Sequence, residues 1–406
     1  MHRPACAKDG ARDNASSSLE LSDIVRLFGN DLRRAQTLTP EQQKVLSAIL
    51  ACRTEALGGH VDVCLDCGAE RPSYNSCRNR HCPKCQALAQ ARWVSARGER
   101  LLPVSYFHAV FTLPAELRSI AKLNRRTVFE AMLRAASGAL IELGLDQRRL
   151  GGLLGVTTVL HTWTRELVFH PHVHCIVTGG GFSVEADRWV PGHARYLFPV
   201  RVLGELFRGK LCDALSKLEH AGELRLPDTV GPRDPQAFDN LLRRLYRKPW
   251  VVYAKRPFGG PEQVLRYLGR YTHRVGLSNQ RLVSLDERGV TFRTKNGKTV
   301  TLEPVAFLAR FVEHVLPSGF VKIRHYGLLA PKNISTHFAR AGVLLDCVTG
   351  TGHVPPPASA HDGSGDWRRL LFELTGIHFG VCHLCRGGAL ERRPLPPARA
   401  PPVLAA

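Results

Sequence analysis

Three shortages narrow what this chain can be. No run of about 18 apolar residues occurs, which excludes a membrane-spanning helix by length, and the opening stretch "MHRPACAKDGARDNASSS" lacks the apolar core that a secretory signal needs. A soluble, cytoplasmic protein with no membrane partner is therefore expected. Acidic residues are also scarce, with 35 Asp+Glu against 56 Lys+Arg and a formal charge of +21. That imbalance calls for a polyanionic partner. The basic residues are spread over the whole length, without an amphipathic basic helix, so nucleic acid is expected rather than a lipid surface. Internal repeats are missing too, which removes solenoid architectures. What remains is globular: 44% hydrophobic residues in 406 positions, enough for two or three domains.

Cysteine is the residue type in excess. Of twelve, eight lie in two short regions, and in a reducing compartment clustered thiols bind metal more readily than they pair as disulfides. Cys64-x-x-Cys67 and Cys82-x-x-Cys85, with fourteen residues between them, have close to the spacing of a four-cysteine zinc ribbon. Each Cys-x-x-Cys turn aims two thiolates at one tetrahedral ion, and Zn²⁺ suits them because it is borderline soft and redox-silent. Cys52, His60, Cys77 and His81 lie in the same segment. One Zn²⁺ on the two turns and two Zn²⁺ using all eight residues are both open readings. Arg78, Arg80, Lys84 and Arg92 beside these ligands make the module a candidate reader of duplex or hairpin DNA. A further Cys-x-x-Cys, Cys382 to Cys385, has no partner pair nearby in sequence. It is a possible metal knuckle, completed by His378 and His383 or by ligands borrowed from elsewhere.

The pattern along the chain is α+β. Residues 1–17 read as a disordered tail, and residues 18–98 as a helical lead-in plus the zinc module. The lead-in carries helical periodicity at Ile24, Val25, Leu27, Phe28 and Leu32, and Thr39-Pro40-Glu41-Gln42 resembles a helix start. Residues 99–335 alternate: strand "YFHAVFTL", helix "PAELRSIAKLNRRTVFEAMLRAASGALIELG", and paired strands "GVTTVLHTWT" and "VHCIVTGG". Two helical stretches follow (200–220 and 235–247), then strand "WVVYAKR", helix "EQVLRYLGRYTHRV", a hairpin around Asn296-Gly297, and "FVKIRHYGLLAP". Residues 336–385 form a C-terminal extension with a helix around Trp367 to Leu374. A Pro/Ala/Arg-rich tail from Arg386 to Ala406 reads as disordered.

Two constellations carry chemistry. His172 and His174 are two apart on a strand, hence on one face about 7 Å apart at Cβ, able to converge on one ion. Pro171 lacks an N–H for the ladder, so the paired strand is expected to start at about His172, leaving His170 apart. Antiparallel pairing with "GVTTVLHTWT" brings His161 alongside as a third ligand. Neutral imidazoles with open positions suit Mg²⁺ or Mn²⁺ bound jointly with a phosphate oxygen. Tyr267 and Tyr271 stand four apart on a helix, where a buried face meets the basic flank of Arg270 and Arg274.

"HPHVHCIV" followed by "YLGRYTHRV" resembles the HUH endonucleases with two tyrosines. Together with "GGHVDVCLDCG", "FHAVFTLP", "LHTW" and "IRHYGLLA", in this order over roughly residues 20 to 385, the chain is similar to the rolling-circle transposases of the insertion sequence ninety-one family. The resemblance implies a zinc-ribbon-like module before an HUH domain, whose central antiparallel sheet is a ferredoxin/RRM-like plait. It implies His172 and His174 as the metal pair and Tyr267 and Tyr271 as nucleophiles that cleave and rejoin single-stranded DNA through a 5′-phosphotyrosine. Single-stranded DNA and hairpin or duplex DNA at transposon ends are the implied partners. A plasmid or phage replication initiator or relaxase keeps the chemistry and changes the biology. A zinc-containing DNA-binding regulator without catalysis is the non-enzymatic alternative.

Overall fold

The computed structural model describes residues 19–398 except 86, 99–100, 229, 231–235, 256–275, 350–371, 373–379 and 388. The expected tyrosine helix, with Tyr267, Arg270, Tyr271 and Arg274, lies outside the described residues. So do the tail 1–17 and most of the helix expected around Trp367. No described helix is long and apolar enough to cross a membrane.

The lead-in is two helices, α1 (Leu21–Ala35) and α2 (Pro40–Ala51). The helix start read at Thr39 is a reciprocal capping box: Gln42 N–H donates to the Thr39 hydroxyl oxygen, and Thr39 N–H donates to Gln42 Oε1 at 2.9 Å. Ile24, Val25 and Leu32 are buried, whereas Leu27 is 62% exposed and departs from the apolar stripe read in the sequence. The zinc module follows, with β1 (Gly59–Cys64), β2 (Glu70–Tyr74) and then α3 (Ala87–Gly98).

The central sheet has five strands in a row and a short sixth. These are β3 (Tyr106–Thr112), β4 (Leu153–Trp163), β5 (Phe169–Ser183), β6 (Arg188–Pro191), β7 (Val252–Lys255) and β11 (Ile323–Gly327). The order is β11-β4-β5-β3-β7, antiparallel throughout, with β6 paired to β5, so the histidine strand is central. One face packs on α5 (Arg125–Leu145) and α6 (Val200–His220). There Phe107, Phe111, Val156, Leu160, Val173, Cys175 and Val177 join Phe129, Met132, Leu140, Phe207 and Leu211 in the main core. The period of two then turns His108, His161, His172 and His174 to the opposite face.

The long helix expected from Pro114 is broken, with α4 (Arg118–Leu123) ending at Asn124 before α5. Asn124 Nδ2 donates to the carbonyls of Ile120 and Arg225, and its Oδ1 accepts from Arg225 N–H, so one side chain pins the break. α7 (Ala237–Tyr246) leads to β7. β5 begins at Phe169, before Pro171, which corrects the expected start at His172. The ladder shifts register between His161 and Trp163, and a proline without an N–H is tolerated at such an irregularity.

The expected hairpin is a three-stranded meander of β8 (Leu282–Asp286), β9 (Gly289–Arg293) and β10 (Thr299–Leu302), with Asn296 at φ 58° in the second turn. Together with α8 (Pro304–Val312) it shares one core with the lead-in helices: Leu21, Ile24, Val45 and Leu46 pack with Phe292, Phe307 and Phe311. Gln42 Nε2 also donates to the Val312 carbonyl at 3.0 Å. The lead-in is thus bound to residues 277–315 as well as to the zinc module. Finally, α9 (Ala339–Thr349) is followed by β12 (Leu390–Leu395), which pairs with β1. This corrects the expectation of disorder for residues 389–398; residues 399–406 lie outside the described residues. β1 supplies a partner edge along all six residues of β12, so composition alone misjudged the segment.

Candidate functional site

On the open face of the central sheet, β4 and β5 bring three imidazoles together. His161 sits directly opposite His172 in the register, His174 is two residues further along β5, and their candidate ligand atoms all lie within 4.8 Å of one another. His161 is only 2% exposed and stacks on Trp163 at 4.7 Å between ring centroids.

The orientation of two of these rings is set by hydrogen bonds. His172 Nδ1–H donates to the His170 carbonyl at 2.7 Å, which leaves Nε2 with a free lone pair pointing away from the backbone. His174 Nδ1 shares a hydrogen bond of 2.8 Å with Nε2 of His108, from the neighbouring strand β3. When His174 ligates through Nε2, its Nδ1 carries the proton and His108 is the acceptor. This is the outer-shell partner that metal-binding histidines commonly have. Burial pushes the pKa of His172 down to about 4, holds His174 well below the usual imidazole value, and lowers His108 to about 4. Neutral rings are what a metal needs as ligands, so the donor set fits a divalent ion.

His170 stands apart from the trio. Its Nδ1 is 2.8 Å from the Arg118 guanidinium, whose N–H donates to it. His108 was not singled out in the sequence. The signal available was its place in a strand whose other residues alternate into the core, which puts a polar ring on the histidine face.

The cysteines sort differently from their spacing. Cys52, Cys77, Cys82 and Cys85 form one four-thiol cluster, with Cys77 and Cys85 Sγ atoms 3.7 Å apart. Cys64 and Cys67 form another with Cys382 and Cys385. The ribbon pairing of Cys64/Cys67 with Cys82/Cys85 is therefore corrected. The turn at Cys64 lies at the end of β1 and faces β12, whereas Cys52 caps α2 and packs with Cys82 in the lead-in core.

Neither module histidine joins a cluster. His60 Nε2 lies 3.7 Å from the Asp62 carboxylate. His81 is buried, donates through Nδ1 to Asn79 Oδ1, and accepts the Leu316 N–H at Nε2, and burial pushes its pKa down to about 3. It serves as a structural hydrogen-bond relay. Two of the basic candidates are likewise engaged internally: Arg80 donates to the Phe320 carbonyl at 2.6 Å, and Lys84 pairs with Glu20. Arg78 and Arg92 are exposed.

Two family descriptions and two curated relatives are similar to this chain. A family described as "Transposase zinc-binding domain" matches residues 24–113, and one described as "Putative transposase" matches residues 155–336, the span that holds all three clustered histidines. The chain is 41% identical over 384 residues to "Putative transposase y4qJ" of Sinorhizobium fredii, covering 93% of this chain and 95% of that protein. It is 28% identical over 316 residues to "Transposase for insertion sequence element IS801" of Pseudomonas savastanoi pv. phaseolicola, covering 75% and 74%. No solved structure matches. The four-thiol cluster at Cys52, Cys77, Cys82 and Cys85 falls inside the matched zinc-binding domain, which supports Zn²⁺ as its ion. By this breadth of identity and by its two matched domains, the chain belongs to the IS91 family of transposases and carries an N-terminal zinc-binding domain.

Proposed function

We propose that this transposase cleaves and rejoins single-stranded DNA by tyrosine transesterification during rolling-circle transposition, acting in the cytoplasm on the ends of its element. The observation that carries the reading is the trio His161, His172 and His174, on the sheet face opposite the main core. β7, at the edge of the same sheet, leads directly into the segment with Tyr267 and Tyr271. Lys255 on β7 pairs in register with His108 and adds a cation near the trio, suited to a DNA phosphate.

His161, His172 and His174 would hold the divalent ion, Mg²⁺ or Mn²⁺. When bound, that ion polarises the scissile phosphate and neutralises charge on its non-bridging oxygens. The hydroxyl oxygen of Tyr267 or Tyr271 attacks phosphorus in line and loses its proton. The bond to the 3′-oxygen breaks, and that oxygen leaves as a free 3′-hydroxyl. The 5′-phosphate stays on the tyrosine. A phenolate, with a pKa near 10, leaves more readily than an alkoxide, so a 3′-hydroxyl can reverse the step and rejoin DNA without an external energy source. Two tyrosines let one keep the first cleaved end while the other attacks a second strand. Arg270 and Arg274 are assigned to phosphate binding beside them, and Arg78 and Arg92 to duplex or hairpin contacts of the zinc module.

The test is incubation of purified protein, Mn²⁺ and an oligonucleotide covering a native element end, followed by denaturing electrophoresis. A slow-migrating covalent protein–DNA species is expected from the wild type and is absent from Tyr267→Phe/Tyr271→Phe. Adducts that survive the double substitution overturn the assignment.

A further inference from the structure

We propose that Cys64, Cys67, Cys382 and Cys385 form a second zinc site, separate from the one at Cys52, and that this ion clasps the C-terminal end of the chain to the N-terminal module. Neither matched family span reaches Cys382 or Cys385.

The geometry is that of a closed tetrahedral site. Cys64 Sγ lies 3.6 Å from Cys385 Sγ, Cys67 Sγ lies 3.6 Å from Cys382 Sγ, and all four sulfurs fall within 4.8 Å of one another. Four thiolates about 2.3 Å from one Zn²⁺ sit about 3.8 Å apart along the tetrahedron edges. A disulfide needs sulfurs at about 2.05 Å, so these contacts are too long for two cross-links and right for one ion.

The two halves are built alike. Gly68 N–H donates to the Cys64 carbonyl at 2.9 Å with Gly68 at φ 68°, and Arg386 N–H donates to the Cys382 carbonyl at 3.1 Å with Arg386 at φ 56°. Each is a Cys-x-x-Cys turn closed by a residue in the left-handed region. Leu384 N–H also points at Cys382 Sγ from 3.4 Å, the kind of contact that favours a thiolate. Of the local alternatives, His383 is not in the cluster and His378 lies outside the described residues.

The backbone independently holds the two ends at this spot. β12 runs antiparallel to β1 from Gly59↔Leu395 to Cys64↔Leu390, so a zinc ligand ends the ladder. Leu65 N–H donates to the Ala389 carbonyl, Ala398 N–H donates to the Glu55 carbonyl, and Arg392 pairs with Asp62 through Nε at 2.7 Å. The separation between the paired cysteines exceeds 300 residues. Closing so long a loop costs chain entropy, and a strand of six residues with one exposed ion pair offsets it weakly. An ion held by four thiolates stabilises the closure far more strongly. The N-terminal module is then completed only when the C-terminal segment has been made, and metal loading fixes that segment to β1.

The test uses full-length protein in two arms. Metal analysis of the wild type should give two zinc ions per chain, falling to one in Cys382→Ser/Cys385→Ser, with cobalt(II)-thiolate absorption falling by half in parallel. The second arm needs no variant. Native protein is alkylated with iodoacetamide, with and without prior chelation, and the labelled cysteines are mapped by mass spectrometry. Cys382 and Cys385 should be protected in the zinc-loaded protein and labelled after chelation. Two zinc ions retained by the double variant, or one zinc ion in the wild type with Cys382 and Cys385 labelled without chelation, would overturn the proposal.

Discussion

His314 gives the sharpest quantitative prediction. It is fully buried where the chain leaves α8, and it braces the turn that joins the two histidine-bearing strands. Its Nδ1 accepts from the Thr162 hydroxyl at 3.3 Å, its Nε2–H donates to the Leu167 carbonyl at 3.1 Å, and its ring lies parallel to Phe169. Burial pushes its pKa down to about 3, and the cations Arg125 and Lys122 add to the effect. The folded-state value is depressed below the unfolded value of about 6.5. A buried histidine held neutral contributes its full stability above pH 6.5 and loses it as pH falls towards the folded value. At pH 5 the unfolded chain takes up the proton and the folded chain does not, which costs about 2 kcal/mol for this one residue. The perturbation is His314→Gln, whose amide nitrogen can still donate to the Leu167 carbonyl. Urea unfolding of both proteins from pH 7.5 to 5.0 is the assay. The other histidines are common to both and cancel in the difference, so the wild type should lose about 2 kcal/mol more than the variant over this range. Parallel profiles would refute the claim that His314 stays neutral in the folded protein.

Other consequences follow from the same structure. His108→Phe keeps the bulk and removes the hydrogen bond to His174, so Mn²⁺ affinity measured by calorimetry should fall about 10- to 100-fold; unchanged affinity would mean that His108 does not hold the ring. Gly327 explains the glycine of "HYGLLA": it sits at φ 59°, and an added Cβ would stand 2.0 Å from the Leu154 carbonyl oxygen. Gly327→Ala should therefore cost more than about 1 kcal/mol in urea unfolding, and a neutral result would contradict the close approach of β11's end to β4. Phe111→Ala, in the middle of the main core, should cost about 3–5 kcal/mol by the same measurement.

What the sequence made legible was local. The Thr39 capping box, the alternation of Val173, Cys175 and Val177 against His172 and His174, and the placing of His161 beside them all follow from periodicity over a few residues and from one short antiparallel connection. Non-local pairing was out of reach. Four cysteines in two nearby turns have the spacing of a ribbon, yet each turn pairs elsewhere, one of them with a segment at the other end of the chain. The helical lead-in gave no hint that its apolar stripe packs on the β8–β10 meander. Asn124 stopped a helix that propensity alone would continue, because its amide is committed to Arg225 far along the chain. His60 and His81 looked like ligands by residue type, and only the positions of the eight cysteine sulfurs show that they are not in the clusters.

The measurement closest to the central claim is peptide mapping of the covalent adduct. Wild-type protein is reacted with Mn²⁺ and an element-end oligonucleotide, digested with nuclease and protease, and the nucleotide-bearing peptide is sequenced by mass spectrometry. A nucleotide joined through its 5′-phosphate to Tyr267 or Tyr271 is the predicted result, with none formed by His172→Ala/His174→Ala. A nucleotide on any other residue, or an adduct formed equally well without the two histidines, would contradict the account.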